Sequence, residues 1–290
     1  MKSHRSTPYL FLLPAFALLG TFSFGAMGYA LYISFHHWSI VNPTMPFAGF
    51  LNYIWAFNDP HFGRAFFNTL SYALMVTCGG TCAALAAALM VNALSRLFSH
   101  LVRTALFTPI VTSVIASAIV WQWIYNPTFG LANGILARLG LPMLDWIYSP
   151  KTALLSIALM SIWKGLGYGL VLFLAGLQQI PEVYEEAARV DGAGRISRFI
   201  HITFPLLVPV SSFVIVTTFI GSFQVFSEPF IMTLGGPGES TMTLFLYLYE
   251  TAFKYEQMGL ACAMAFIVMV AIMLITIASY RYIRREVDYV

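Results

Sequence analysis

The chain has 290 residues, of which 59% are hydrophobic, 16% aromatic and only 9% Asp, Glu, Lys or Arg. With a mean hydropathy of +0.78, this composition is more apolar than a soluble domain with a solvated surface carries, and a membrane protein is the class that remains. The formal net charge of +3 is small, and its placement marks topology rather than nucleic-acid binding.

A helix needs about 20 apolar residues to cross a bilayer. Six windows meet that length: Tyr9–Phe35, Phe66–Leu94, Thr104–Tyr125, Thr152–Leu177, Phe204–Ser227 and Gly259–Tyr280. The expectation is an all-α polytopic protein with six transmembrane helices in a single domain, residues 1–290. The first window is too long for a secretory h-region and has no small-residue cleavage site, so it reads as a retained helix, with Pro14 as a candidate kink. His36, His37 and Trp38 just beyond it, with Trp55, fit interfacial anchoring better than metal binding. In the second window Cys78 and Cys82 stand one helical turn apart beside Gly79, Gly80, Ala83, Ala86 and Ala87. Small residues let helices approach closely in lipid, so this stripe reads as a packing face, and the spacing does not suit a disulfide. Arg96–Arg103 reads as a short turn before the third window.

The fourth window is the one that holds a charge, Lys164. A lysine at mid-membrane costs roughly 2.5–3.5 kcal/mol, which places it by default in the bundle interior or in a cavity. Ser161, Lys164, Gly165 and Tyr168 share one helical face. In the fifth span Thr217, Gly221 and Gln224, with Glu228 just past the end of the window, form a second stripe. Such faces line a substrate pathway or join helices through small and polar residues, and the spacing alone leaves both open.

Between these windows lies EEAARVDGAGR, residues 185–195, with five charges in eleven positions. Val183, Ala187 and Val190 fall on one stripe, Glu182 and Glu186 pair on another, and Glu185 precedes Arg189 by four, which together give a short amphipathic helix. Asp191-Gly192-Ala193-Gly194 breaks it, and Asp191 suits the N-cap of a second helix with the apolar stripe Ile196, Phe199, Ile200 and Thr203. Pro205 and Pro209 mark the start of the fifth span. Two connections, residues 36–65 and 229–258, are long. The second holds a turn-rich LGGPGEST followed by TLFLYLYETAF, a short helix or re-entrant segment.

Lys and Arg concentrate on the cytoplasmic side of short loops. With the N-terminus inside, that side holds ten basic residues, Lys2, Arg5, Arg96, Arg103, Arg189, Arg195, Arg198, Arg281, Arg284 and Arg285, against four outside, Arg64, Arg138, Lys151 and Lys254. Both termini are therefore expected in the cytoplasm. The chain has no G-x4-G-K-[ST] phosphate loop, and no paired carboxylates or His cluster at one depth, so it is not expected to be an enzyme or to bind a metal.

Glu186-Ala187-Ala188, three residues, Gly192, nine residues, Ile202, one residue, then Phe204-Pro205 resembles the EAA loop of bacterial ABC importer permeases, departing in Phe204 where the motif has Leu. TPYLFLLPA, GFLNYI, FFNTL, LAGLQQIPEVYEEAARVDGA, FQVFSEPFIMTLGGPGEST and YLYETAF extend the likeness over nearly the whole chain. Together they resemble the MalF/UgpA-type sugar permease half of a carbohydrate importer. RREVDYV lacks the Gly-rich ending of the companion, MalG-like half, and Ala26-Met27 and Ser227 depart from the Tyr-Pro and Asp frequent in relatives.

The resemblance implies the type I ABC importer permease fold in a bacterial or archaeal inner membrane. It implies import of a carbohydrate, or of glycerol phosphate as the anionic option, with a neutral sugar favoured. It further implies as partners a second permease, two ATPase subunits that bind ATP and Mg, an extracytoplasmic binding protein and membrane lipid, with no cofactor in this chain. Carried over residue by residue, the coupling loop is 178–205: Glu186 pairs with a basic ATPase side chain, Ala187 and Ala188 allow close packing, Gly192 makes the bend, and Asp191 and Pro205 are the further residues of the coupling set. The pattern Trp163-x-Gly165-x2-Tyr168 is similar to that lining the sugar site of relatives, which places the substrate pathway between the two stripes. Read from residues alone, a proton-coupled secondary transporter with Lys164 and Glu228 as the titrating pair is the alternative.

Overall fold

The computed structural model describes residues 7–41 and 44–287, and for residues 7–10, Arg96 and 279–287 the backbone alone. Lys2, Arg5 and the last three residues of RREVDYV lie outside the described residues. The chain is all-α: among the described residues the β-type pairing is a single antiparallel bridge, His36 to Phe47.

Five of the six windows are continuous helices long and apolar enough to cross a membrane, Phe11–Ser34, Pro60–Asn92, Ala153–Gln179, Arg195–Phe223 and Met258–Ala278. The first comprises α1 (Thr7–Leu18), which contains Pro14, a π-helical stretch Leu19–Gly25, and α2 (Ala26–Ser34). A short α3 (Leu51–Asn58) precedes α4 (Pro60–Asn92).

The third window differs from expectation. It is two helices, α5 (Arg96–Val111) and α6 (Val114–Ile124), bent by 102°. Pro109 sits in the last turn of α5 and has no N–H to donate, and Thr112 and Ser113 are extended, with ψ of 149° and 134°, so the hydrogen-bond ladder stops there. The count is six spans if this bent pair is taken as one. Arg96–Arg103, expected as a turn, forms the first two turns of α5.

The connection from Tyr125 to Thr152 is as built as the two long ones singled out from sequence. It carries α7 (Leu131–Arg138) and a 3₁₀ turn, Trp146–Tyr148. Buried Asn133 organises it: its amide donates to the carbonyls of Pro127 and Leu144, and its oxygen accepts from the Leu144 backbone and from Trp146 Nε1 at 2.8 Å. Then follow α8 (Ala153–Gln179), α9 (Glu182–Val190), α10 (Arg195–Arg198), α11 (Phe204–Phe223), α12 (Ser227–Thr233), α13 (Leu244–Tyr249) and α14 (Met258–Val287). TLFLYLYETAF is helical, as α13 and the π-helical turn Glu250–Lys254.

The chain forms two compact units, Met1–Gly63 with Tyr247–Ala271, and Arg64–Leu246 with Ile272–Val290. In the first, the end of α2 is clasped by Asn52, whose amide donates to the carbonyls of Ser34 (2.9 Å) and His36 (3.0 Å). His36 packs its ring on Tyr32, and His37 stacks on Trp55 at 5.1 Å. A Cβ at Gly259 would stand 2.0 Å from the His36 carbonyl oxygen, so only glycine fits that crossing. Asp59 caps α4 by accepting from the His61 backbone N–H, and its other oxygen accepts from Tyr247 Oη at 2.5 Å.

The second unit is built around α8. Gly167 lies against the α5 backbone, where a Cβ would meet Phe107 Cα at 2.7 Å, and Gly169 lies against Ala84 of α4. Gly176 does the same toward Leu207 and Val210 of α11. Of the small residues expected to pack beside the cysteines, Gly79 makes a close crossing, where a Cβ would meet Ile162 Cδ1 of α8 at 2.8 Å, while Cys78 and Cys82 themselves are exposed and Ala73, Val76, Ala84, Ala88 and Val91 are among the buried residues of α4. The turn 234–241 is held to the start of α4, with Arg64 paired to Glu239 and the Asn68 amide donating to the carbonyls of Glu239 and Met242.

Candidate substrate cleft and coupling helix

A cleft of about 470 Å³ opens within the second unit between α4, the α5–α6 break, α8 and the end of α11. Six of the eight expected pathway residues line it: Ser161, Lys164 and Gly165 from α8, Gly221 near the end of α11, Gln224 at its C-cap and Glu228 in the first turn of α12. Tyr168 and Thr217 do not. Thr217 turns its hydroxyl onto the Phe213 carbonyl of its own helix at 2.8 Å, and Tyr168 is 41% exposed elsewhere. Gly165 has open space where a Cβ would stand.

Tyr72, Thr218, Ser222, Phe226 and Ser227 also line the cleft and were not picked out by helical spacing. Tyr72 donates to Ser161 Oγ at 2.7 Å, so α4 and α8 meet through a polar contact at the cleft wall. Periodicity within one helix carries no sign of such a partner on another. A signal was present in Thr218 and Ser222, which flank the chosen stripe one helical position on.

Lys164 sends its ammonium to backbone. Nζ donates to the carbonyls of Pro109 (3.0 Å) and Thr112 (2.6 Å), at the end of α5. Glu228 faces the same cleft without forming an ion pair with Lys164 within salt-bridge distance among the described residues. Burial pushes the Glu228 carboxyl above its ordinary range, opposed by its own backbone N–H and by the Lys164 charge.

The segment expected to couple is a separate surface. On α9 Val183 and Val190 are 69% and 88% exposed, and Ile196 beyond it is 76% exposed. Glu185 bridges Arg189 at 3.5 Å and Arg198 at 3.8 Å, while Glu186 and Ala187 stand on the exposed side. Asp191 is the residue that ends α9, and the N-cap of α10 is Gly194, without a side-chain cap, which corrects the expectation that Asp191 caps the second helix. The reason is the backbone of Gly192. At φ +79° it closes a Schellman turn, with Ala193 N–H donating to the Ala188 carbonyl at 2.9 Å and Gly192 N–H to Arg189 at 3.1 Å. Pro205 and Pro209 lie inside one unbroken helical run, Arg195–Phe223. A π-helical turn over Phe199–Thr203 widens the ladder where the Pro205 ring would crowd the carbonyl four residues back.

Along its length the chain is similar to several transport proteins. It is 36% identical over 287 residues to the probable ABC transporter permease YurN of Bacillus subtilis, covering 98% of each chain. It is 34% identical to the sulfoquinovosyl glycerol transport permease SmoG of Agrobacterium fabrum, over 97% of this chain and 92% of the relative. It is 31% identical to the sn-glycerol-3-phosphate transport permease UgpA of Yersinia enterocolitica, over 97% and 95%. In fold it matches a chain of a bacterial ABC transporter involved in import of the acidic polysaccharide alginate, with a TM-score of 0.83 at 23% identity over 96% of this chain and 94% of that one. Residues 79–289 match the family of binding-protein-dependent transport system inner membrane components, and the chain belongs to that family.

Proposed function

We propose that this chain is one of two transmembrane permease subunits of an ATP-driven importer for a carbohydrate, with the cleft at Lys164, Gln224 and Glu228 as its half of the translocation pathway. The observation that carries the reading is an exposed helix, α9, joined by the turn at Gly192 to the run Arg195–Phe223, whose far end reaches that cleft. Glu186, Ala187 and Ala188 form the docking edge toward two ATPase subunits, Asp191 and Gly192 fix its exit, and Pro205 belongs to the helix that transmits the motion. ATP and Mg are held by those subunits, and an extracytoplasmic binding protein delivers the substrate. Both termini lie in the cytoplasm of a bacterial or archaeal cell.

Relatives named for sulfoquinovosyl glycerol and sn-glycerol-3-phosphate support a polyhydroxylated substrate. The ammonium of Lys164 is engaged by two carbonyls, which favours a neutral sugar over an anion. A proton-coupled carrier would need Lys164 and Glu228 to exchange a proton as a pair, and their separate placement speaks for the importer.

The test is reconstitution of the chain with its companion permease and ATPases in proteoliposomes. ATP hydrolysis should rise on adding a binding protein loaded with its sugar. Sugar uptake that persists without ATPase subunits and collapses under a protonophore would overturn the importer reading.

A further inference from the structure

We infer that Lys164 is a positioning residue that holds the broken α5–α6 helix open at Thr112–Ser113, and so sets the wall of the cleft, rather than a ligand of the substrate. The 102° bend leaves carbonyls at the end of α5 without partners along the helix. Pro109 O takes three donors: Thr112 N–H (3.3 Å), Thr112 Oγ1 (2.6 Å) and Lys164 Nζ (3.0 Å). The Thr112 carbonyl, turned away by its extended backbone, accepts from Lys164 Nζ at 2.6 Å. Thr112 Oγ1 also meets Ser117 Oγ at 3.0 Å, in the first turn and a half of α6.

The chemistry suits a clasp. A cation at a helix C-terminus meets the negative end of the helix dipole as well as two acceptors, and in an apolar setting unpaired carbonyls are costly. In a continuous helix the Pro109 and Thr112 carbonyls would accept from backbone N–H groups four residues on; in the bent state Lys164 supplies donors in their place. Ile110 and Val114, which flank the break, are cleft-lining residues. The geometry of the wall therefore depends on a cleft-lining lysine whose hydrogen bonds go to the carbonyls at the break.

The structural arm of the test does not rest on the importer reading, and the transport arm does. Amide exchange is followed by mass spectrometry on the full chain in lipid nanodiscs, without substrate. Lys164→Met should speed exchange of the hydrogen-bonded amides at the break, Thr112 and Ser117, by about tenfold or more, as expected for loss of a charged hydrogen bond, with α4 and α14 unchanged, and Lys164→Arg, which keeps two donors, should restore the slow rate. A substrate ligand predicts no change in that segment, and unchanged exchange in Lys164→Met overturns the inference. If Lys164→Met does not fold, Lys164→Arg decides: slow exchange in a folded chain supports the clasp, and fast exchange or loss of that variant too overturns it. In the assembled transporter a clasp lowers maximal uptake with KM little changed, and Lys164→Arg rescues it. Rescued exchange with no rescue of uptake places the fault in the transport reading, whereas a rise in KM alone in Lys164→Met overturns the positioning role.

Discussion

Gly192 has φ +79° and open space where a side chain would begin. A substituent there meets strained backbone and no neighbour, so the cost is set by residue type. Gly192→Val should cost about 1–2 kcal/mol at the turn, while Gly192→Asn, whose side chain tolerates the left-handed region, should cost much less. Co-purification of the ATPase subunits with each variant reads the difference, and equal recovery of both would show that the turn is not strained in the assembled state. In the cleft, Gln224 and Tyr168 are no longer equivalent. Gln224→Leu removes an amide facing the cavity and should raise KM for uptake by about tenfold, whereas Tyr168→Ala, outside the lining, should leave KM unaltered. The reverse order would move the pathway to the other face of α8.

Helices were legible in the sequence to the degree that one uninterrupted apolar run made one helix. Tyr9–Phe35 and Gly259–Tyr280 needed nothing more. The third window misled because Ile110, Val111 and Val114 keep the run apolar straight through the break, and hydropathy is blind to backbone direction; Pro109 was the visible sign. Asp191 before Gly-Ala-Gly suits either a helix end or a helix start, and the left-handed Gly192 decides for the end. Six of the eight residues on the two stripes reach the cleft, and the two that do not, Tyr168 as the last of the α8 stripe and Thr217 as the first of the other, lie in regular helix, because spacing fixes a face but not how far along it a cavity runs. Tyr72 was beyond reach, since its partner Ser161 is 89 residues away. For α9 itself, the exposed edge at Glu186 and Ala187 predicts that Glu186→Ala lowers uptake and substrate-stimulated ATP hydrolysis together while leaving the chain folded. Normal values for both would remove this helix from the coupling path.

At the scale of the whole molecule, the arrangement of basic residues makes a directional prediction. A cysteine placed in the turn Gly235–Glu239 should react with a membrane-impermeant thiol reagent in intact cells, and one at Ser197, beside Arg195, only after the membrane is opened. Protection of the first and labelling of the second would invert the orientation and detach α9 from the compartment that holds ATP. The native cysteines lie within the helical spans, at 78, 82 and 262, and serve as the internal control.

The run Arg195–Phe223 carries one further consequence. Its 29 residues make a rod of about 43 Å at 1.5 Å per residue, and the π-helical turn inside it is wider but still bonded, so it bends without acting as a free joint. Torque applied near Ile196 therefore arrives at Thr218 and Gly221 nearly undiminished, and a twist of the shaft sweeps those residues past the cleft through the same angle. Two glycines inserted at His201 would turn the shaft into a universal joint: both ends would keep their shape while the transmission between them slipped.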